Sequence, residues 1–362
     1  MKWSLYLGKV AGIKMYVHWT FFVLIGWIFI MHYQMGHGVY AALTGVAFIL
    51  ALFGCVTLHE FGHALTARRF KIVTKSITLL PIGGLAQLER MPEKPVQELL
   101  VAIAGPLVNV SIAVVLFFYL AIAGSLPSLE QMQPMTESGF WVNLFSANVV
   151  LALFNMIPAF PMDGGRVLRA LLSFRLDRGT ATKIAAGIGQ LLAIAFVFLG
   201  FFFNIWLVFI GVFIYLGAGA EAAFETAKSA LAGHTVRDVL MRKFTRLQPD
   251  DTLEKAVQAL LNGQERDFVV TENGKVVGIL TRNELVKGLS EYGKTSPVEG
   301  VMRKDFVTLH PDMNLQNVYQ KIVMSGCSVA PVFEHNVLVG IVDKENMDEI
   351  LMVKEALRES QE

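Results

Sequence analysis

Long apolar runs fill the first 225 residues and are absent from the remainder. Six runs stand out, at 17–35, 40–65, 97–123, 140–160, 183–202 and 204–223. Each is close to the roughly 20 apolar residues that a bilayer core requires, so six membrane-spanning helices are expected. Between the second and third runs the period changes. Residues 72–74 and 76–80 are β-branched and apolar, and Pro81, Gly83 and Gly84 follow. This predicts a short β-hairpin at the membrane interface, whose free edge could pair with an extended peptide. Residues 234–362 alternate short helical and strand patterns and contain an internal repeat. A shift of 62 aligns Val236 with Val298, Pro249 with Pro311, Asp250 with Asp312, Gly278 with Gly340 and Ile279 with Ile341. Each unit reads as a short helical run, a Pro-Asp cap, an amphipathic helix, two strands around Asn273-Gly274 or His335-Asn336, and a final helix. The expected architecture is a six-span membrane domain over residues 1–228, then α+β units at 229–290 and 291–362 that pack as a pseudo-two-fold pair.

Composition agrees with the pattern. Of 362 residues, 54% are hydrophobic and 17% charged, with mean hydropathy +0.51, too apolar for an ordinary soluble enzyme. The net charge of +1 gives no argument for nucleic-acid binding. The two cysteines, Cys55 and Cys327, are far apart and make neither a disulfide framework nor a thiolate metal cluster. Lys2, Lys9 and Lys14 precede a first run without a small-residue cleavage site, which reads as a retained span. Basic loops follow the second run (Arg68, Arg69, Lys71, Lys75, Arg90, Lys94) and the fourth (Arg166, Arg169, Arg175, Arg178, Lys183). The loop at 124–139 has no Lys or Arg and carries Glu130 and Glu137. By the positive-inside rule both termini are cytosolic in a multi-pass cell-membrane protein.

The chemistry is concentrated at the cytosolic end of the second run, in His59-Glu60-Phe61-Gly62-His63. On a helix, His59 and His63 share one face and can bind one metal ion, with Glu60 beside them as a proton acceptor. Ionisable groups at the end of an apolar run mark a functional site. A catalytic zinc needs a third protein ligand and one open position for water. Asp163, at matching depth after the fourth run, is the candidate. Its neighbours Pro158, Pro161, Gly164 and Gly165 argue against regular helix there. Glu89 and Glu98 read as solvated charges at loop or helix starts. His18, His32 and His37 read as interfacial residues, and Asn109 as an interhelical hydrogen bond. Asn155 lies in the same broken segment as Asp163 and is the candidate donor to the substrate backbone or the oxyanion. In peptide hydrolysis Glu60 would take a proton from water and return it to the leaving amine. The competing class is a transporter or channel gated by the C-terminal pair. That class would string polar residues through several runs, whereas here they cluster at one depth.

These motifs, with Gly83-Gly84 and Pro161-Met162-Asp163-Gly164, resemble the site-2 protease family of intramembrane zinc metalloproteases. The C-terminal repeat resembles a tandem pair of CBS domains, and the whole is similar to the CBS-tailed prokaryotic branch that includes sporulation factor IV F B. The resemblance implies one zinc on His59, His63 and Asp163, with Glu60 as base. It implies a substrate with a transmembrane segment, such as an anti-sigma factor or a membrane-tethered transcription factor. For the CBS pair it implies ATP or AMP binding through Thr281, Glu284, Asp343 and Asn346, or dimerisation. Glu284 stands where the family pattern has Asp, and Asp343 where it has Ser or Thr.

Overall fold

The computed structural model describes residues 4–34, 38–81, 83–88, 92, 94–124, 139–263, 266–325 and 328–359. His37, Glu89, Cys327 and the loop acids Glu130 and Glu137 lie outside the described residues. The chain divides into two compact units, Met1–Ala223 and Phe224–Glu362.

The first unit opens with two strands that the apolar pattern did not announce, β1 (Ser4–Val10) and β2 (Ile13–His18). In β2 the side chains of Ile13, Met15 and Val17 alternate inward. Helices α1 (Trp19–His32) and α2 (Gly38–Arg69) follow. His18 caps α1 by accepting from the Thr20 amide, and His32 donates from Nδ1 to Ile28 O, so both have local roles. After α2 come β3 (Thr74–Leu80) and β4 (Gly83–Leu88). The stretch 74–80 is thus one strand, and its antiparallel partner begins at Gly83. The four strands form one sheet in the order β1-β2-β3-β4, with β2 and β3 parallel. Ile13, Met15, Val17, Ile77 and Leu79 of this sheet pack on Phe21, Phe53 and Ala64 of α1 and α2. That packing sets β4, the terminal strand, beside α2.

Next come α3 (Pro95–Ile122), α4 (Phe140–Asn155), α5 (Asp163–Leu172), α6 (Arg178–Phe203) and α7 (Ile205–Ala230). Four of these helices, α2, α3, α6 and α7, are long and apolar enough to cross a membrane. The apolar α1 and α4 have 14 and 16 residues. At 1.5 Å per residue they reach only about 21–24 Å, short of a core about 30 Å thick. The first apolar run loses its start to β2, and the fourth ends at Asn155 rather than residue 160. The break covers residues 156–162, but Gly164 and Gly165 lie inside α5, so regular helix resumes at Asp163. Many large apolar side chains on the helices are exposed, among them Phe201, Phe202, Trp206 and Phe209. Such a surface is unfavourable in water and natural in lipid.

The second unit holds the two repeats. The first has β5 (Arg246–Leu247), α8 (Leu253–Asn262), β6 (Phe268–Glu272), β7 (Lys275–Leu280) and α9 (Arg282–Tyr292). The second has α10 (Leu315–Ser325), β8 (Val329–Glu334), β9 (Val337–Asp343) and α11 (Lys344–Glu359). The hairpin turns carry positive φ at Asn273 and Gly274 and at His335 and Asn336, as two-residue turns require. The units interlock reciprocally. Met241 of the first pairs with Ile341 of the second, and Arg303 of the second pairs with Ile279 of the first. Both pairs obey the 62-residue shift. Gly278 and Gly340 permit this crossing, because a Cβ there would lie 3.0 Å from Arg303 O and 2.5 Å from Met241 O, respectively.

Candidate metal centre

Helix α2 presents Cys55, His59 and His63 at intervals of four, along one buried stripe. That stripe faces α3 at Gly105. A Cβ at residue 105 would collide with Nε2 of His63 and lie 2.6 Å from Nε2 of His59. The glycine therefore opens the space the two imidazoles occupy. Asp163, the first residue of α5, is buried beside them, and α5 itself packs on α3. The segment before it is pinned by the buried residues Ala159, Phe160 and Met162.

Three ligand atoms converge. Nε2 of His59 and Nε2 of His63 lie 3.2 and 3.1 Å from Oδ2 of Asp163, and 3.1 Å from each other. Tetrahedral zinc ligands at about 2.0–2.1 Å stand roughly 3.3 Å apart, so this triangle fits one face of such a site. The ring orientations agree. Nδ1 of His63 donates to Val101 O at 2.7 Å, and Nδ1 of His59 bonds to Oδ1 of Asn109. With Nδ1 carrying the hydrogen, each Nε2 presents a lone pair to the shared point. Among the described residues this is the one group of three His, Cys, Asp or Glu side chains placed to hold a metal. Asn109 is thus the interhelical hydrogen bond the sequence predicted, and its partner is a metal-ligand candidate. Arg166 Nη1 stands 3.8 Å from the other Asp163 oxygen.

Glu60 projects towards β4. A Cβ on Gly84 would lie 2.6 Å from Glu60 Cγ, so the strand backbone passes directly over the glutamate. Asn155 is placed differently from the triad. It is half-buried at the end of α4, and its amide donates to Leu151 O in its own helix at 2.9 Å.

The expectation for Glu98 is corrected. It is 2% exposed rather than solvated. Its Oε1 accepts from Nε of Arg169 and its Oε2 from Nη1 of Arg178, both at 2.8 Å. Arg169 is itself fully buried and also bonds Glu221. Its guanidinium sits 5.0 Å over the Phe160 ring. The available signal was a glutamate running straight into the apolar residues Leu99, Leu100 and Val101.

In the second unit, Thr281 and Asp343 line one cleft of about 220 Å³ together with Arg266, Arg282, Ser328 and Lys344. Thr281 caps α9, and Asp343 Oδ1 accepts from the Asn346 amide at 2.7 Å. Burial pushes the Asp343 carboxyl above its ordinary pKa, with Glu345 and Asp267 adding to the rise and the Asn346 amide opposing it. Oε2 of Glu284 is buried without a hydrogen-bond partner among the described residues.

A membrane-type helical unit with a His-His-Asp centre, joined to an interlocked α+β pair, defines a class that comparison with known proteins makes specific. The peptidase family M50 model matches residues 47–199, and the CBS domain model matches 236–291 and 298–352. A zinc metalloprotease of Methanocaldococcus jannaschii is 33% identical over 99% of this chain and 100% of its own length. A relative described as a putative zinc metalloprotease, from Synechocystis, is 28% identical over 97% of this chain and 96% of its own. The stage IV sporulation protein FB of Bacillus subtilis is 31% identical but covers only 38% of this chain and 44% of its own. The solved site-2 protease of Methanocaldococcus jannaschii is 36% identical, with TM-score 0.44, over 61% of this chain and 95% of that one. The chain belongs to peptidase family M50, the site-2 zinc metalloproteases, and carries a C-terminal tandem of CBS domains.

Proposed function

We propose that this protein is an intramembrane endopeptidase that hydrolyses a peptide bond in or near a transmembrane segment of a membrane-protein substrate. The convergence of His59, His63 and Asp163, from segments up to 104 residues apart, carries this reading. Zinc bound there would supply Lewis acidity and an activated water. Glu60 accepts a proton from the attacking water and delivers it to the leaving amine nitrogen. Strand β4, lying over Glu60 and pairing on one side alone among the described residues, would offer its other edge to an unwound substrate segment by strand addition. Asn155 is retained as the candidate donor to substrate backbone or oxyanion, a role that requires its amide to leave Leu151 O. The six-span topology with both termini cytosolic, and a boundary near residue 228, belong to the same reading, which requires the bilayer to thin locally around the short helices α1 and α4. Substrates of this class include anti-sigma factors and membrane-tethered transcription factors.

The CBS pair is the proposed regulator, with ATP or AMP in the cleft that Thr281 and Asp343 share. Glu284 and Asn346 flank the cleft in sequence, and pairing between two copies through these domains is its alternative use. Two measurements test the whole. Elemental analysis of His59→Ala and Asp163→Ala should show loss of zinc without loss of fold. Proteomic comparison of membrane-anchored fragments in cells with wild-type protein and with Glu60→Gln should show substrates accumulating uncut in the variant. Wild-type cleavage by Glu60→Gln would remove the catalytic scheme.

A further inference from the structure

We infer that Asn148, on α4 and outside the candidate metal centre, is a positioning residue that sets the tautomer of His59 through Asn109. The inference rests on the proposed ligand set. It starts from an atom whose role is fixed: Leu144 O, a backbone carbonyl, can only accept. Nδ2 of Asn148 lies 2.9 Å from it and so must be the donor. The other hydrogen of that amide points to Sγ of Cys55 at 3.5 Å. The Asn148 amide therefore cannot turn over, and its Oδ1 must accept. It accepts from Nδ2 of Asn109 at 2.9 Å. This fixes the second amide as well, with Oδ1 of Asn109 facing Nδ1 of His59. Nδ1 must then carry the hydrogen, and Nε2 is left with its lone pair towards Asp163 and His63.

The two histidines are thus oriented by the same chemistry over different distances. His63 donates directly to a backbone carbonyl, Val101 O, whereas His59 reaches the Leu144 carbonyl through two side-chain amides. Asn109 and Asn148 are both fully buried, so no solvent competes for these hydrogen bonds. Without Asn148, the Asn109 amide is free to present its NH2 group to His59. That arrangement favours hydrogen on Nε2, the nitrogen needed for the metal. Groups that orient metal-bound histidines typically change metal affinity by about 10–100-fold when removed.

The test uses full-length protein in detergent. It measures the zinc dissociation constant by chelator competition, and the His59 tautomer by nitrogen NMR of the metal-free protein. Asn148→Leu should weaken zinc binding about 10–100-fold and move hydrogen from Nδ1 to Nε2 of His59. Asn148→Ala gives the same reading if the leucine variant does not accumulate. Asn148→Asp should retain wild-type affinity, because a buried carboxyl is held neutral and can both donate to Leu144 O and accept from Asn109. A purely packing role predicts instead that all three variants lose thermal stability while tautomer and zinc affinity stay as in the wild type, and this result would overturn the inference. His59→Ala is the control for the ligand set. If it binds zinc as the wild type does, the metal site itself is misassigned. If only the Asn148 variants bind normally, the relay alone is wrong.

Discussion

At the scale of single residues, the candidate metal centre depends as much on what is missing as on what is present. Gly105 is the clearest case, since a methyl group there would occupy the space of both imidazoles. Gly105→Ala should therefore cost at least about tenfold in zinc affinity, in line with other losses of ligand orientation. Equilibrium chelator competition would show it, with helix content unchanged by circular dichroism. A second prediction concerns Asp343, whose carboxyl is raised by burial. A raised carboxyl stabilises the fold below its unfolded pKa, and that contribution is lost as pH rises through the folded pKa. Asp343→Asn keeps an oxygen for the Asn346 amide and removes the buried anion. It should raise the unfolding temperature of the full-length protein at pH 7.5 and leave it unchanged at low pH, where the carboxyl is protonated in both states. Calorimetry at the two pH values checks this. The histidines and Glu60 were legible from sequence because helical spacing alone puts them together. Asn148 was not, nor was what packs against Gly105, since both depend on which helix faces them.

At the scale of elements, helix α5 has to hold Asp163 against α2 across a broken segment. Its anchor is Arg169, which ties α5 to Glu98 of α3 and Glu221 of α7. Arg178, at the start of α6, completes the charge balance on Glu98. Removing one partner of such a buried group leaves an uncompensated charge. Arg169→Ala should destabilise the protein by about 3–5 kcal/mol, measurable as increased susceptibility to proteolysis in detergent. Lysine at this position restores charge but not the planar fork that reaches both carboxylates, so it should recover only part of the loss. The sequence read Glu98 as a solvated charge at a loop or helix start and Arg169 as part of a basic loop, because each, taken alone, is a charged residue at the end of an apolar run. Only the fold reveals that they neutralise each other. The N-terminal strands escaped notice for a related reason: β2 alternates as a half-buried strand should, but it has only six residues and abuts an apolar helix.

At the scale of the whole molecule, a protease unit and a CBS pair share one chain. The proposed regulation predicts that ATP or AMP, added to full-length protein, binds in calorimetry and changes the rate of cleavage of a transmembrane substrate. Absence of adenine-nucleotide binding would leave the CBS pair with dimerisation as its remaining role. By itself the sequence determined the apolar helices, the 62-residue repeat, the His-Glu-x-x-His face and the candidacy of Asp163. These are readable because hydrophobic period, internal repetition and i, i+4 spacing are local properties of a chain. Tertiary structure alone decided that Glu98 is buried, that Gly105 makes room for the imidazoles, that β4 lies over Glu60, and that Asn148 stands behind Asn109. Each of these is a relation between segments far apart in sequence, and packing between elements creates it.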